Sequence, residues 1–103
     1  MVSIEEVLDL MDENRDELDR RVGRICANPD INEERRRQLL AAAWRRAIRR
    51  HYQLLDAYLL LRRSDPRLLS PVDHQCERRR LHAPARPPGV PESARASLRT
   101  REH

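Results

Sequence analysis

The sequence contains no Lys and no Phe, only two Gly and two Cys, and no long apolar run. Because no stretch of about 18 apolar residues occurs, we expect no transmembrane segment. Cys26 and Cys76 form neither a C-x-x-C pair nor a disulfide framework, so reduced thiols in a cytoplasmic protein are the expectation. Glu5, Glu6 and Asp9 stand where an export signal would be basic and then apolar, which argues against secretion.

The length of 103 residues allows one small domain, and its core must be mostly aliphatic. Trp44, Tyr52 and Tyr58 are the only aromatic residues in the sequence. The last twenty residues are rich in Pro, Ala, Ser and Arg, a composition that cannot bury enough apolar surface to fold. We therefore predict a helical domain over residues 1–82 and a disordered tail over residues 83–103.

The charges are unevenly distributed along the chain. Residues 1–34 hold 11 acidic side chains and 4 Arg, a net charge of −7, whereas residues 35–63 hold nine Arg and Asp56, a net charge of +8. Both segments have helical patterns. We therefore expect the acids of the first helix to pair with the arginines of the second, within one chain or between two copies, and so to fix register and partner choice.

A helix over about residues 3–27 is predicted from a capping box and an apolar stripe. Ser3 followed by Glu6 is the capping box. Asn14 interrupts the stripe and is expected to find a polar partner in the core, and Cys26 is expected to be a small buried residue at the edge of the stripe. Residues spaced at the helical period form the stripe: Ile4, Val7, Leu8, Met11, Leu18, Val22, Ile25 and Cys26.

A second helix is predicted to extend to about Arg63, beginning after Asn28-Pro29-Asp30 with a cap at Asp30 or Asn32. Its apolar arc covers about half of its circumference, which is wider than one neighbouring helix requires. Four arginines, at positions 45, 46, 49 and 50, lie on the opposite arc. We predict that the apolar face is a self-association interface formed by Leu40, Trp44, Ile48, His51, Leu55, Tyr58 and Leu59.

Ser70-Pro71 predicts a short third helix over about residues 71–82, which Pro84 prevents from continuing. The predicted fold class is all-α: an antiparallel helical hairpin of two long helices plus a short third helix. The third helix has few apolar residues with which to cover the wide face of the second. We therefore favour a homodimer in which two hairpins pair into a four-helix bundle.

Three polar positions give the chain a resemblance to a known family. Glu13-Asn14-Arg15 lies in the first helix, His51 at the centre of the second, and Asp73-His74 in the third. Over about residues 4–80 this layout resembles a truncated hemerythrin-like (HHE) domain, whose first three helices carry D-H, H-x-x-x-E and a further His. The resemblance implies His51 and His74 as metal ligands. Asn14 and Leu55 depart from the family motif, so the implied relative is degenerate and metal-free; the two-helix ferritin-like proteins are a related possibility.

No catalytic residue, metal site or cofactor is predicted from the residues themselves. We expect His51 to be a buried histidine with one hydrogen-bond partner. The leading prediction is a non-enzymatic helical interaction or assembly module that self-associates as a dimer or binds a helical partner. Two alternatives remain: a degenerate hemerythrin- or ferritin-like bundle with a lost or partial metal site, and a basic nucleic-acid-binding protein whose Arg clusters contact phosphates. Nucleic acid is not favoured here, because the acidic first helix is expected to neutralise those clusters.

Overall fold

The computed structural model describes residues 2–64 and 78–90. Helix α1 spans Ile4–Ala27 and helix α2 spans Glu33–Ser64. Residues 78–81 form one further helical turn, and residues 83–87 continue without regular structure. The described part of the chain contains no strand, so the all-α class is confirmed. The start of α1 and the end of α2 lie within one residue of the prediction.

Each long helix begins at a side-chain cap. The Ser3 Oγ accepts a hydrogen bond from the backbone N–H of Glu6 at 3.1 Å. The Asn32 Oδ1 accepts one from the backbone N–H of Arg35 at 2.7 Å, so Asn32 rather than Asp30 caps α2. These bonds satisfy N–H groups of the first turn that have no partner within the helix.

Two apolar clusters hold α1 and α2 together. In one, the N-terminal half of α1 meets the C-terminal half of α2; in the other, the C-terminal half of α1 meets the N-terminal half of α2. The buried residues of the first cluster are Ile4, Val7, Leu8, Met11, Leu54 and Tyr58. Those of the second are Leu18, Leu40, Ala41, Ala43, Trp44, Ala47 and Val90.

Residues 78–90, which we call the covering segment, pack against the helix pair. Pro84, Pro87 and Val90 are buried, and Val90 joins the cluster of Leu40 and Trp44. A turn closed by the hydrogen bond from the N–H of Val90 to the carbonyl of Pro87 directs Val90 inward. Gly89 serves this turn with φ +94°, a left-handed conformation that L side chains rarely adopt.

Three residues of the predicted tail, Pro84, Pro87 and Val90, are buried, and the domain boundary at residue 83 stays a prediction. Pro and Val side chains bury apolar surface without needing regular secondary structure, and composition alone does not reveal the helix face that receives them. The rest of the predicted tail, residues 91–103, and the predicted helical residues 71–77 lie outside the described residues.

Candidate interaction surface

The α2 face that was predicted as a self-interface is largely covered within one chain. Leu40, Trp44, His51 and Tyr58 are all buried, with Trp44 6% and His51 2% exposed. Ile48 and Leu55 are partly buried, and Leu59 is 48% exposed. Helix α1 and the covering segment provide the cover. A second copy could contact the buried part of this face only if that cover moved away.

Side chains of both helices hold the backbone of the covering segment. The Trp44 Nε1 donates to the carbonyl of Pro84 at 3.3 Å. The His51 Nε2 lies 2.9 Å from the carbonyl of Leu81. From α1, the Arg15 Nη2 donates to the carbonyl of His82 at 2.8 Å. The covering segment is thus fixed to both helices through three of its backbone carbonyl groups.

Arg80 of the covering segment binds three carboxylates of α1. Its Nη2 lies 2.7 Å from Asp9 and 2.9 Å from Asp12, and its Nη1 lies 3.4 Å from Glu5. Partial burial lowers the pKa of Arg80, but the hydrogen bonds to Asp9 and Asp12 outweigh burial and leave that pKa raised. The acids of α1 on this side are therefore paired with the covering segment and not with α2.

His51 has the environment of a structural histidine. Burial lowers its pKa, the hydrogen bond to the Leu81 carbonyl opposes that effect, and the charge of Arg15 lowers the pKa further. A neutral imidazole that bonds to a carbonyl must carry its proton on that nitrogen, so the Nε2 of His51 is a donor. This confirms the prediction of a buried histidine with one hydrogen-bond partner.

Within residues 2–64 and 78–90, no group of three or more His, Cys, Asp or Glu side chains is placed to hold a metal ion. His74, the other weak metal candidate, lies outside these ranges. The donor role of the His51 Nε2 also leaves that nitrogen without the lone pair that a metal ligand requires.

Two smaller predictions have opposite outcomes. The Asn14 Nδ2 donates to the carbonyl of Ala47 at 2.9 Å, which confirms that Asn14 finds a polar partner between the helices. Cys26 is exposed, so its predicted burial is wrong. The reason is its position in the last turn of α1, where Ile25 is the residue that packs against the cluster around Leu40.

The expected pairing of α1 acids with α2 arginines is not seen among the described residues. The ion pairs between described residues either lie within one helix, as between Glu33 and Arg36, or join α1 to Arg80. Four exposed side chains of α2, which we call the arginine face, make no hydrogen bond or ion pair with any described residue. Arg46 and Arg50 line a groove that α1 borders, and neither Arg45 nor Arg49 lines it. The arginine face consists of Arg45, Arg46, Arg49 and Arg50.

An open groove of about 620 Å³ runs between α1 and α2 on the side away from the covering segment. Arg46 and Arg50 form part of its α2 wall, Arg20 and Arg21 part of its α1 wall, and a smaller cavity of about 310 Å³ continues it to Arg24. Together the two cavities are lined by five arginines and two glutamates, a net charge of +3.

One of those two glutamates, Glu17, is already engaged by its own helix. The Arg20 Nη2 and the Arg21 Nε each lie 3.0 Å from its carboxylate. The hydrogen bond from Arg21, followed by that from Arg20, lowers the pKa of Glu17. Glu17 is therefore ionised at neutral pH and shared with α1 arginines, which leaves Arg46 and Arg50 without a carboxylate in contact.

Tyr52 is a surface residue that was not among the predicted interface residues. Its side chain is 53% exposed and stands three residues after Arg49, beside the arginine face. Its ring meets that of His51 edge-on, with centroids 5.8 Å apart. Tyr52 lies at the edge of the apolar arc of α2. At such an edge position, the hydrophobic periodicity of the sequence does not tell whether a side chain is buried or exposed.

The chain has no detected relative in the three comparisons with known proteins. No family model matches it, and neither a curated protein nor a solved structure matches it. Neither long helix has an apolar stretch that could cross a membrane, and the same holds for the remaining described residues.

Proposed function

We propose that this chain is a non-enzymatic interaction module in which an antiparallel helical hairpin presents the arginine face to an anionic partner. One observation carries the proposal: Arg45, Arg46, Arg49 and Arg50 are exposed and make no polar contact with the described residues. On the other side of the same helix, Trp44 and His51 each have a hydrogen-bond partner.

The geometry of α2 favours binding of extended anions. Arg45 and Arg49 lie one helical turn apart, as do Arg46 and Arg50, so the arginine face has two parallel rows. Each row has a spacing of about 6 Å along the helix axis. The arginines of the groove extend this basic surface onto α1. Guanidinium groups bind carboxylate and phosphate oxygens through two parallel hydrogen bonds, which suits such a surface to oxyanions.

The proposal is tested by retention on a heparin column with charge-matched variants. R45Q/R49Q and R78Q/R79Q each remove two positive charges, the first pair from the arginine face and the second from the covering segment. We expect R45Q/R49Q to elute at distinctly lower salt than R78Q/R79Q, because local charge density and not net charge determines binding. Equal elution of the two variants would show that the arginine face is not the binding surface.

Self-association into a four-helix bundle is a second candidate function. Leu59 is 48% and Leu60 65% exposed at the C-terminal end of α2, so part of the predicted interface is uncovered. Light scattering at low and moderate salt tests this. A salt-tolerant dimer that L59E/L60E dissociates would support the candidate, and a monomeric wild-type protein would exclude it.

The degenerate hemerythrin-like bundle is a further proposal, and it rests on the position of two polar residues. Asn14 and His51, which stand in the first and second slots of the family motif, both lie at the contact between the helices. Their hydrogen bonds to backbone carbonyls support a metal-free relative. This proposal predicts that the purified protein carries no stoichiometric iron, which elemental analysis measures directly.

A further inference from the structure

We propose that the anionic partner of the arginine face is single-stranded nucleic acid, bound through its phosphates with one base stacked on Tyr52. This inference rests on the proposed function, since it requires the arginine face to be a binding surface. It adds the chemical class of the partner and a specific role for Tyr52.

The first support is the neighbourhood of Tyr52. On α2, Arg45, Arg49 and Tyr52 follow one another at spacings of four and three residues, so they form one row along the helix. All three side chains are exposed. Single-stranded nucleic acid is bound by combining a basic track for the backbone with an exposed aromatic ring on which a base stacks. This row provides both elements within about two helical turns.

The second support is the contact that restrains the Tyr52 ring. The adjacent His51 is buried, bonded to the Leu81 carbonyl, and meets the Tyr52 ring edge-on. The Tyr52 ring thus has one fixed neighbour whose plane is 75° from its own, while more than half of the residue remains exposed. A ring held in this way loses less conformational entropy when a base stacks on it.

An acidic protein partner fits this surface less well. Protein interfaces draw most of their affinity from large apolar or aromatic anchors that enter desolvated pockets. Seven of the eleven residues that line the groove beside the arginine face are Arg, Glu or Asn, and Leu10 and Leu18 are the only large apolar residues in that lining. Phosphates require only the charge and the hydrogen-bond donors, which the arginines supply.

A membrane surface also fits less well. Helices that lie on anionic membranes insert large apolar residues beside their basic residues. The exposed leucines of α2, Leu59 and Leu60, lie ten residues beyond Arg49 and Arg50, or about 15 Å along the axis. The middle of the arginine face therefore has no large aliphatic residue to insert.

The test is fluorescence anisotropy on the full chain with labelled single-stranded RNA and DNA of about 16 nucleotides, the upper end of common site sizes. The logarithm of the binding constant decreases linearly with the logarithm of the salt concentration. We expect the magnitude of this slope to decrease by about 0.7 for each phosphate contact removed. R45Q/R49Q should lower the slope by about 1.4, and the quadruple Gln variant of the arginine face by about 3. The charge-matched control R78Q/R79Q should leave it unchanged.

Tyr52 is tested separately. We expect Y52A to weaken binding about tenfold with no change in the salt slope, and Y52F to bind as the wild-type protein does, because stacking needs the ring and not the hydroxyl. All these positions are exposed, so an unchanged helical circular dichroism spectrum in each variant shows that the fold is retained. An unaltered affinity in Y52A would overturn the stacking role.

Two competing probes separate the inference from the proposed function. Polyglutamate and phosphatidylserine vesicles are titrated under the same conditions as the oligonucleotides. If either binds through the arginine face as tightly as the oligonucleotide, nucleic acid as the partner is overturned and the proposed function stands. If none of the three probes binds, both fail. Oligonucleotide binding that is insensitive to the arginine-face variants also overturns both.

Discussion

The two sides of α2 differ in how their polar groups are satisfied. On one side, which we call the covered face, Trp44 and His51 donate to carbonyls of the covering segment, and the neighbouring acids of α1 bind Arg80. On the other side, the arginine face has no polar partner among the described residues. The polar groups of the covered face thus contribute to folding, whereas those of the arginine face remain available to bind a partner.

This difference shows that segregated charge in a sequence does not imply pairing of the two charged segments in space. The acids Asp9 and Asp12 share Arg80, about 70 residues away in sequence, and neither pairs with the arginine-rich helix beside them. Substitutions on the two faces are therefore expected to differ in their effect on stability, from the largest on the covered face to the smallest on the arginine face.

The largest effect is expected for Trp44→Ala on the covered face. Trp44 is 6% exposed and contributes its ring to the cluster that contains Val90. Loss of a buried ring of this size costs about 3–5 kcal/mol in the free energy of unfolding, which urea denaturation measures. Trp44→Phe keeps most of the ring and removes the donor to Pro84, so its expected cost is about 1 kcal/mol. A cost for Trp44→Ala no larger than that of an exposed substitution would mean that the covered face is not covered in solution.

A smaller loss is expected for Arg80→Gln, which leaves Asp9 and Asp12 close together without their shared cation. Because the carboxylates are partly exposed, we expect a loss of about 1 kcal/mol at low salt that diminishes as salt screens the pair. Arg79→Gln, an exposed substitution one residue away, is the control and should have no effect. A loss that persists undiminished at high salt would contradict an electrostatic origin.

Because of His51, we expect the free energy of unfolding to depend on pH. Burial lowers its pKa from 6.5 in the folded state, so between the two pKa values the unfolded chain binds more protons. The stability that neutral His51 contributes is therefore fully present above pH 6.5 and decreases as the pH falls through the folded-state pKa. Around His51 lie the Arg15 charge from α1, the Leu81 carbonyl and the Tyr52 ring.

The measurement for His51 compares the wild-type protein with His51→Gln, whose amide can still donate to Leu81 but does not titrate. We expect the stability advantage of the wild-type protein to shrink as the pH is lowered from about 8 to about 5. Other groups titrate in both proteins and cancel in the difference. An advantage that stayed constant over this range would show that the imidazole is not shielded from solvent.

Much of the helical architecture follows from local sequence signals. The caps at Ser3 and Asn32 and the break at Pro29 set the helix ends, and the apolar period correctly identified Leu40, Trp44 and Tyr58 as buried. These signals act over a few residues, so one sequence suffices to read them. The partner of Asn14 was also expected, because a polar residue in an apolar stripe requires one.

The covering segment and the pairing of charges could not be predicted in this way. Val90 packs on Leu40 and Arg80 binds Asp9 across about 50 and 70 residues respectively, and no periodicity links such positions. Proline-rich composition favours disorder on average, yet the structure buries Pro84, Pro87 and Val90. The availability of the arginine face follows only once the partners of the α1 acids are known.

The smallest effect on stability is expected on the arginine face itself. R45Q/R49Q should change the free energy of unfolding by less than about 0.5 kcal/mol, because exposed side chains without a folded-state partner contribute little. Any change should be stabilising at low salt, since two like charges on adjacent turns of α2 repel each other. Urea denaturation at low and high salt measures both the size and the sign of this change. Arg80→Gln, which removes an arginine that has carboxylate partners, is the comparison. A clear destabilisation in R45Q/R49Q would mean that these arginines have partners within the folded chain, and the contrast between the two faces of α2 would not hold.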